Sequence, residues 1–265
     1  MESPPSFDGK IAFVTGGSKG IGRAAAHRFA ELGADVALSS RHLDEVDDVA
    51  EAIADATGCT PLPLEADVSD PEAVRSAYDE IISRFGQLDV LFANAGVNGR
   101  WAPIEDLSLE DWRKTIGINL TGTFLTIKHA VPHLKETEGN VVVTSSVNGT
   151  RDFSLSGATA YATSKAGQQA MAQMLALELA PEGVRVNVIC PGQVDTEIES
   201  STRRDHLEDI RYPVEHPEGR VPLTHGEAGD PEAVADLVAF LASEQARLVS
   251  GSPVWVDGTQ SLFMG

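Results

Sequence analysis

The sequence is short of positive charge. Twenty Lys and Arg face 40 Asp and Glu, a net charge of −20, and Arg outnumbers Lys 14 to 6. Without a basic stripe to neutralise phosphates, nucleic-acid binding is disfavoured. An acidic, lysine-poor composition fits proteins of salt-loaded cytoplasm, where ions screen self-repulsion; a merely acidic surface fits it too. Cysteine is also scarce. Cys59 and Cys190 stand alone, with no C-x-x-C pair. Neither a structural disulfide nor a zinc site is expected, and both are read as buried, inert thiols. The seven histidines are read as scattered, and no metal is expected. No apolar run approaches the roughly 20 residues of a membrane span. The stretch Met1 to Asp8 carries Glu2, Pro4 and Pro5 and no apolar core, unlike a secretory leader. A soluble, cytoplasmic protein is expected.

What is present is ordinary globular composition: 265 residues, 42% hydrophobic and 23% charged. That length suits one large α/β domain spanning 1–265. Short apolar runs alternate with helical patterns. Strands are predicted at Ile11 to Val14, Val36 to Leu38, Leu62 to Glu65, Leu88 to Ala93, Asn140 to Ser145, Val184 to Cys190 and Pro253 to Val256. Helices are predicted between them. The helix from Leu43 to Thr57 is closed by Gly58, and the one that starts at Asp70 ends near Gly86. Asp70-Pro71-Glu72 and Asp230-Pro231-Glu232 supply an N-cap and a first-turn proline. Ser108 to Asp111 has the S-x-x-D capping form and opens a long helix toward Leu134. Another runs from Tyr161 to Leu179. Continuous apolar strands joined by helices imply a parallel sheet covered on both faces. The fold class is therefore a Rossmann-type, doubly wound α/β domain with a mainly parallel seven-stranded sheet. The longest stretch without periodicity, Gln193 to Gly229, is polar and holds Pro213, Pro217 and Pro222. Such a segment is a substrate-loop or lid candidate, or is disordered.

Between the first strand and the first helix stands Thr15-Gly16-Gly17-Ser18-Lys19-Gly20-Ile21-Gly22. Glycines there let the backbone approach a pyrophosphate, and the helix N-terminus offers unpaired N–H groups and a positive dipole end. Gly20 to Ala25 fits G-x-G-x-x-A, a dinucleotide fingerprint that also occurs in ordinary strand–helix joints. An acid at the end of the second strand would bind the 2′-hydroxyl of NAD. The sequence there reads Ser39-Ser40-Arg41 instead. Arg41, reinforced by Lys19, could pair a 2′-phosphate, so NADP is favoured over NAD. A solvated Arg at a strand end is the alternative.

Tyr161 and Lys165 are four apart on one helical face. A phenol of pKa about 10 exchanges protons poorly at neutral pH. A nearby ammonium lowers that value, and reduction of a carbonyl by hydride needs such a donor. The spacing alone also arises by chance.

The motifs in their order resemble the classical short-chain dehydrogenase/reductase family from about Lys10 to Gly258. The matching residues are Gly16, Gly20 and Gly22, Asp67-Val68, Asn94-Ala95-Gly96, Asn119, Ser146, Tyr161 with Lys165, and Pro191-Gly192 with Thr196. Ala93 departs from the family's frequent Asn. The resemblance implies an NAD(P)-dependent oxidoreductase of a small carbonyl/alcohol pair. Tyr161 would be general acid or base, and Ser146 would hold the substrate oxygen. Lys165 would bind the nicotinamide ribose and depress the Tyr161 pKa, while Asn119 would hold a relay water. Thr196 and the backbone at Val194 would orient the carboxamide, and Asp67 and Val68 would meet the adenine. Ser145 is the alternative to Ser146. A homotetramer or homodimer is also implied. Asn98, Trp101, Asn148, Phe153, Ile198 and Tyr212 are candidate walls of the substrate pocket. Trp101 could equally pack its loop, and Asn148, Arg151 and Phe153 could be ordinary loop residues. Two other functions stay open. One is a 3-oxoacyl-[acyl-carrier-protein] reductase, whose acidic partner a surface at −20 would repel. The other is a non-catalytic dinucleotide-binding protein.

Overall fold

Alternation of buried strands and amphipathic helices builds a three-layer structure. The computed structural model describes residues 5–210 and 221–263. The elements run β1 (Ile11–Thr15), α1 (Gly20–Glu31), β2 (Asp35–Ser40), α2 (Leu43–Thr57), β3 (Leu62–Glu65), α3 (Pro71–Phe85) and β4 (Val90–Ala93). There follow β5 (Gly99–Trp101), α4 (Leu109–Ile116), a π-helical turn (Gly117–Thr121), α5 (Gly122–Thr137) and β6 (Asn140–Thr144). The chain continues through α6 (Thr159–Leu179), β7 (Arg185–Pro191), β8 (Thr202–Arg204), α7 (Pro231–Ala242), β9 (Pro253–Val256) and α8 (Gln260–Phe263).

The main sheet has seven strands in the order β3-β2-β1-β4-β6-β7-β9. Every pairing in it is parallel, as the strand and crossover pattern predicts. Side chains alternate across it. Ala12, Val14, Val36, Leu38, Val90 and Phe92 face α1, α2 and α7. Ile11, Phe13, Leu91, Val141, Val143 and Val188 face α3, α5 and α6. The strand order reverses between β1 and β4. A crevice opens there at the carboxyl ends, the place where such sheets take ligands.

The local stop and start signals act as read. Asp70 accepts from the N–H groups of Glu72 and Ala73, Ser108 from Asp111 and Asp230 from Glu232. Gly58 and Gly86 end their helices at φ 77° and 81°. The long helix after Ser108 is interrupted by the π turn, which the apolar pattern does not register.

Three readings are corrected. Cys190 is buried and free, with its thiol pushed up to about 11 chiefly by burial, but Cys59 is only half-buried. The histidines are not all scattered: His129 and His133 stand four apart on α5. They stack on Tyr78 at centroid distances of 6.2 and 6.4 Å, so the pair is packing. Among the described residues no cluster of three His, Cys, Asp or Glu could hold a metal. Finally, the aperiodic segment Gln193 to Gly229 holds a strand. β8 pairs in parallel with β5, Trp101 opposite Arg204. The segment's two ends are tied together, Gly229 N donating to Gln193 O at 2.8 Å and Asp195 N to Gly229 O at 2.9 Å. Tyr212, Pro213 and Pro217 lie outside the described residues. No described helix is long and apolar enough to cross a membrane.

Candidate active site

A cleft of about 1030 Å³ runs along the carboxyl ends of the strands. Its wall includes Gly16, Ser18, Lys19, Gly20 and Ile21 from the first turn, Ser40 and Arg41 after β2, and Asp67 and Val68 after β3. Asn94, Ala95 and Gly96 follow from β4, Ser146 from β6, Tyr161 and Lys165 from α6, and Pro191, Gly192, Val194 and Thr196 from β7 onward. Residues spread over 180 positions of sequence thus meet along one groove because parallel strands deliver their ends to one edge.

The glycine turn is shaped by close approach. Gly16 and Gly20 have φ of 65° and 50°, backbone that L side chains resist. A Cβ on Gly16 would press on the Ala95 backbone, and one on Gly20 would press on Thr196. Gly22 does not line the cleft. A Cβ there would overlap the Gly16 carbonyl, so its role is to let α1 pack beneath the turn. Asn94 locks the turn to the sheet. Its Nδ2 donates to the carbonyls of Thr15 and Gly16 at 3.2 and 3.3 Å, and its Oδ1 accepts from Thr144 Oγ1 at 3.1 Å. No side chain caps the start of α1, leaving first-turn N–H groups for a ligand. This cradle, with no room for Cβ atoms, fits a dinucleotide pyrophosphate.

At one end of the cleft, Arg41 is exposed and has no hydrogen-bond or ion-pair partner among the described residues. Lys19 does have one: Nζ lies 2.6 Å from Glu45 Oε1. Glu45, on the first turn of α2, also lines the cleft and escaped the sequence reading. Asp67 accepts from the Ser69 N–H and hydroxyl at 2.8 and 2.6 Å.

At the other end sit Ser145, Ser146, Tyr161 and Lys165. Ser145 and Ser146 point apart, as neighbours at a strand end must. Ser145 Oγ donates to the Lys165 carbonyl at 2.8 Å, whereas Ser146 Oγ accepts from Asn148 N at 3.1 Å. Both serines line the cleft, and the Ser145 hydroxyl is the one committed to a main-chain carbonyl. Tyr161 is 8% exposed. Burial raises its pKa above the usual phenol value, the neighbouring Ser146 hydroxyl opposes this, and the Glu199 carboxylate adds to it. Lys165 is not among the groups that shift it. Lys165 Nζ donates to Thr144 O at 2.9 Å, and burial lowers its own pKa to about 8, so the ammonium is itself weakened.

Asn119, in the π turn, is fully buried and does not line the cleft. Its Oδ1 accepts from Val97 N at 2.8 Å, and its Nδ2 donates to Val97 O at 2.9 Å and Ser164 Oγ at 3.0 Å. Its main-chain carbonyl accepts from Thr123 Oγ1 at 2.7 Å and Gln168 Nε2 at 2.9 Å. Gln168, another residue missed in the sequence, is fully buried with Oε1 unpartnered. Only its position one turn beyond Lys165 could have drawn attention to it.

Above Tyr161 the β5–β8 pair forms the roof. Arg100 and Arg203 both pair with Asp205 and Asp111, at 2.7 to 3.4 Å, pinning the segment to α4. Trp101 both packs and lines the cleft: its ring meets Ala158 and Tyr161 and lies 4.9 Å from the Arg204 guanidinium. Asn98, Asn148 and Ile198 line the cleft as expected. Arg151 and Phe153 do not. Arg151 stacks on Trp255 at 3.6 Å, and Phe153 is 77% exposed beside a smaller cavity. Glu199, Arg204, His206 and Glu208 join the wall, making the substrate end polar and charged.

Comparison with known proteins identifies relatives of the same fold. A family model described as Enoyl-(Acyl carrier protein) reductase matches residues 16–259. Glucose 1-dehydrogenase 2 of Bacillus subtilis (strain 168) is 37% identical over 257 residues, covering 96% of each chain. The crystal structure of a 3-ketoacyl-ACP reductase from Sinorhizobium meliloti 1021 superposes with a TM-score of 0.92. It is 49% identical, covering 96% of this chain and 99% of that one. A short chain dehydrogenase from Burkholderia cenocepacia J2315, in complex with NADP, is 35% identical with a TM-score of 0.82, covering 95% and 98%. A 3-ketoacyl-(acyl-carrier-protein) reductase from Brucella melitensis, complexed with NADH, is 29% identical with a TM-score of 0.84, covering 97% and 100%.

Proposed function

The chain belongs to the short-chain dehydrogenase/reductase family and is an NAD(P)-dependent oxidoreductase, and from that premise we propose that Tyr161 is its proton donor toward a small, polar carbonyl/alcohol substrate. One observation carries the assignment: Ser146, Tyr161 and Lys165, delivered by β6 and α6, line the same cleft as the glycine turn, with Lys165 Nζ 5.6 Å from the centroid of the buried Tyr161 ring. The nicotinamide supplies or accepts the hydride when bound. In reduction, the Tyr161 hydroxyl gives its proton to the substrate oxygen as the C–H bond forms. The Ser146 hydroxyl donates a second hydrogen bond to that oxygen. In oxidation the same proton returns to Tyr161. Lys165 holds the nicotinamide ribose, and Asn119 fixes the Val97 backbone beneath it. Thr196 and the Val194 backbone orient the carboxamide.

A polar roof of Asn98, Asn148, Glu199, Arg204 and His206 favours a hydroxylated or otherwise polar substrate over a hydrocarbon ketone. A cofactor-coupled screen of sugars, polyols, alcohols and ketones, at low and high salt, tests this. Turnover of apolar ketones only would refute it. The second reading, reduction of a 3-oxoacyl thioester, is favoured by the 49% identity to the Sinorhizobium structure. It is disfavoured by the charge of −20 against an acidic carrier. A direct acyl-thioester assay separates the two.

NADP is proposed over NAD, because Arg41 reaches the adenosine end of the cleft unpaired and no acid ends β2. A homotetramer or homodimer is proposed. Phe124 on α5 and Met174 and Leu177 on α6 are 47%, 71% and 79% exposed, and a second copy would cover them. A cytoplasmic, salt-adapted protein is proposed from the acidic balance. Full stability without added potassium chloride would refute the salt adaptation.

A further inference from the structure

The adenosine end of the cleft holds the two cations already named and one carboxylate that no motif accounts for. Lys19 and Arg41 are the cations, and Glu45 is the carboxylate. Glu45 is held in a fixed pose by two residues of the glycine turn. Oε1 accepts from Lys19 Nζ at 2.6 Å, and Oε2 accepts from Ser18 Oγ at 3.2 Å. Its side chain is 31% exposed, against 54% for Lys19, so the pair lies at the wall of the cleft and not free in solvent. The Lys19 bond and the Ser18 hydroxyl keep its carboxyl below the usual carboxylate range. It is therefore ionised at neutral pH. Arg41, in contrast, has no partner among the described residues.

We infer that Glu45 is a specificity-determining residue for the cofactor: it holds Lys19 as a counter-ion and competes for it with an adenosine 2′-phosphate. The inference rests on the dinucleotide reading above and adds a residue working against the NADP preference of Arg41. A 2′-phosphate carries close to two negative charges. To use Lys19 it must take that ammonium from a carboxylate already 2.6 Å away, and then remain beside that carboxylate. A bare 2′-hydroxyl meets no such repulsion and finds an acceptor oxygen within the same group of side chains. Arg41 attracts NADP, Glu45 removes part of that gain, and the chain binds both cofactors with a narrowed difference. Glu45 touches neither Ser146 nor Tyr161, so proton transfer does not depend on it.

The test is calorimetric binding of NADP+ and NAD+ to the full-length protein and to Glu45→Gln, which keeps the shape and removes the charge. A Lys19→Met variant, alone and combined with Glu45→Gln, closes a double-mutant cycle. Glu45→Gln is expected to tighten NADP+ by roughly 5- to 20-fold and to leave NAD+ within about twofold. Adding Lys19→Met should cancel most of that gain. The gain should also shrink at 1 M salt, where exposed charges are screened. Equal changes for both cofactors, or weaker NADP+ binding, would overturn the role of Glu45 while leaving the cofactor reading intact. Wild-type protein that binds neither dinucleotide would overturn both.

Discussion

Lys165 Nζ lies 5.6 Å from the centroid of the Tyr161 ring and gives its hydrogen bond to the Thr144 carbonyl at 2.9 Å. Lysine and tyrosine share a helical face, yet the ammonium is anchored to β6 and not to the phenol. Both groups are buried, and burial disfavours the charged form of each. The phenol is pushed up and the ammonium is pushed down to about 8.

That relationship predicts opposite pH dependences for the two directions. With Tyr161 as the proposed base, oxidation needs its phenolate, whose population grows with pH up to a pKa above the ordinary 10. Oxidative kcat/KM should therefore climb steadily from pH 7 to 10. Reduction uses the protonated phenol and should stay level until about pH 8, then fall as Lys165 loses its charge. Logarithmic profiles of kcat/KM in both directions measure this. An oxidative optimum at or below pH 7 would contradict the environment described for Tyr161.

Removing the phenol hydroxyl separates chemistry from binding. Tyr161→Phe should lower kcat by roughly 10²- to 10⁴-fold, the usual worth of a general acid. Dinucleotide affinity should change by no more than about threefold, because the ring still packs on Trp101 and Ala158. Residual turnover above about a tenth of wild type would assign the proton transfer elsewhere.

A buried lysine should leave a signature in stability. Below about pH 8 Lys165 is charged in both folded and unfolded chains, and the folded chain bears the full desolvation cost. Between about 8 and 10.5 the folded lysine has released its proton while the unfolded one retains it. The unfolded state then binds more protons, and stability rises with pH. The shift from 10.5 to about 8 corresponds to about 3 kcal/mol. Urea unfolding of wild type and Lys165→Met at pH 7 and 10 should show wild type gaining up to that amount relative to the variant. A pH-independent difference would mean that the lysine is solvated.

Cofactor preference should follow Arg41. Arg41→Asp replaces an unpaired cation with the acid that a 2′-hydroxyl prefers. The ratio of kcat/KM for NADP+ to that for NAD+ should fall at least about tenfold, the effect of losing one charge-assisted contact. Unchanged NADP preference in this variant would remove Arg41 from the adenosine site.

The elements that sequence predicted well are those whose cause is local. Asp70, Ser108 and Asp230 cap helices because each bonds N–H groups two or three residues ahead. Gly58 and Gly86 end helices because the left-handed conformation is cheap only without a Cβ. The seven parallel strands follow from apolar runs and helical crossovers. What escaped prediction depends on distant partners. β5 and β8 are three residues each, too short for a pattern, and are brought together by Arg100, Arg203, Asp111 and Asp205. The π turn at Asn119 is held by Val97, Ser164 and Gln168, none within 20 positions of it.

The sequence by itself determined the sheet and the glycine turn, and it placed Tyr161 and Lys165 on one helical face, since spacing along strands and helices dictates which residues reach one edge. Only the tertiary structure decided how those groups behave. Burial, which no single stretch of chain reveals, raised the Tyr161 pKa that the spacing predicted to be lowered. The folding of α2 against the glycine turn brought Glu45 to Lys19 across 26 positions, placing a carboxylate where the motif offered only cations.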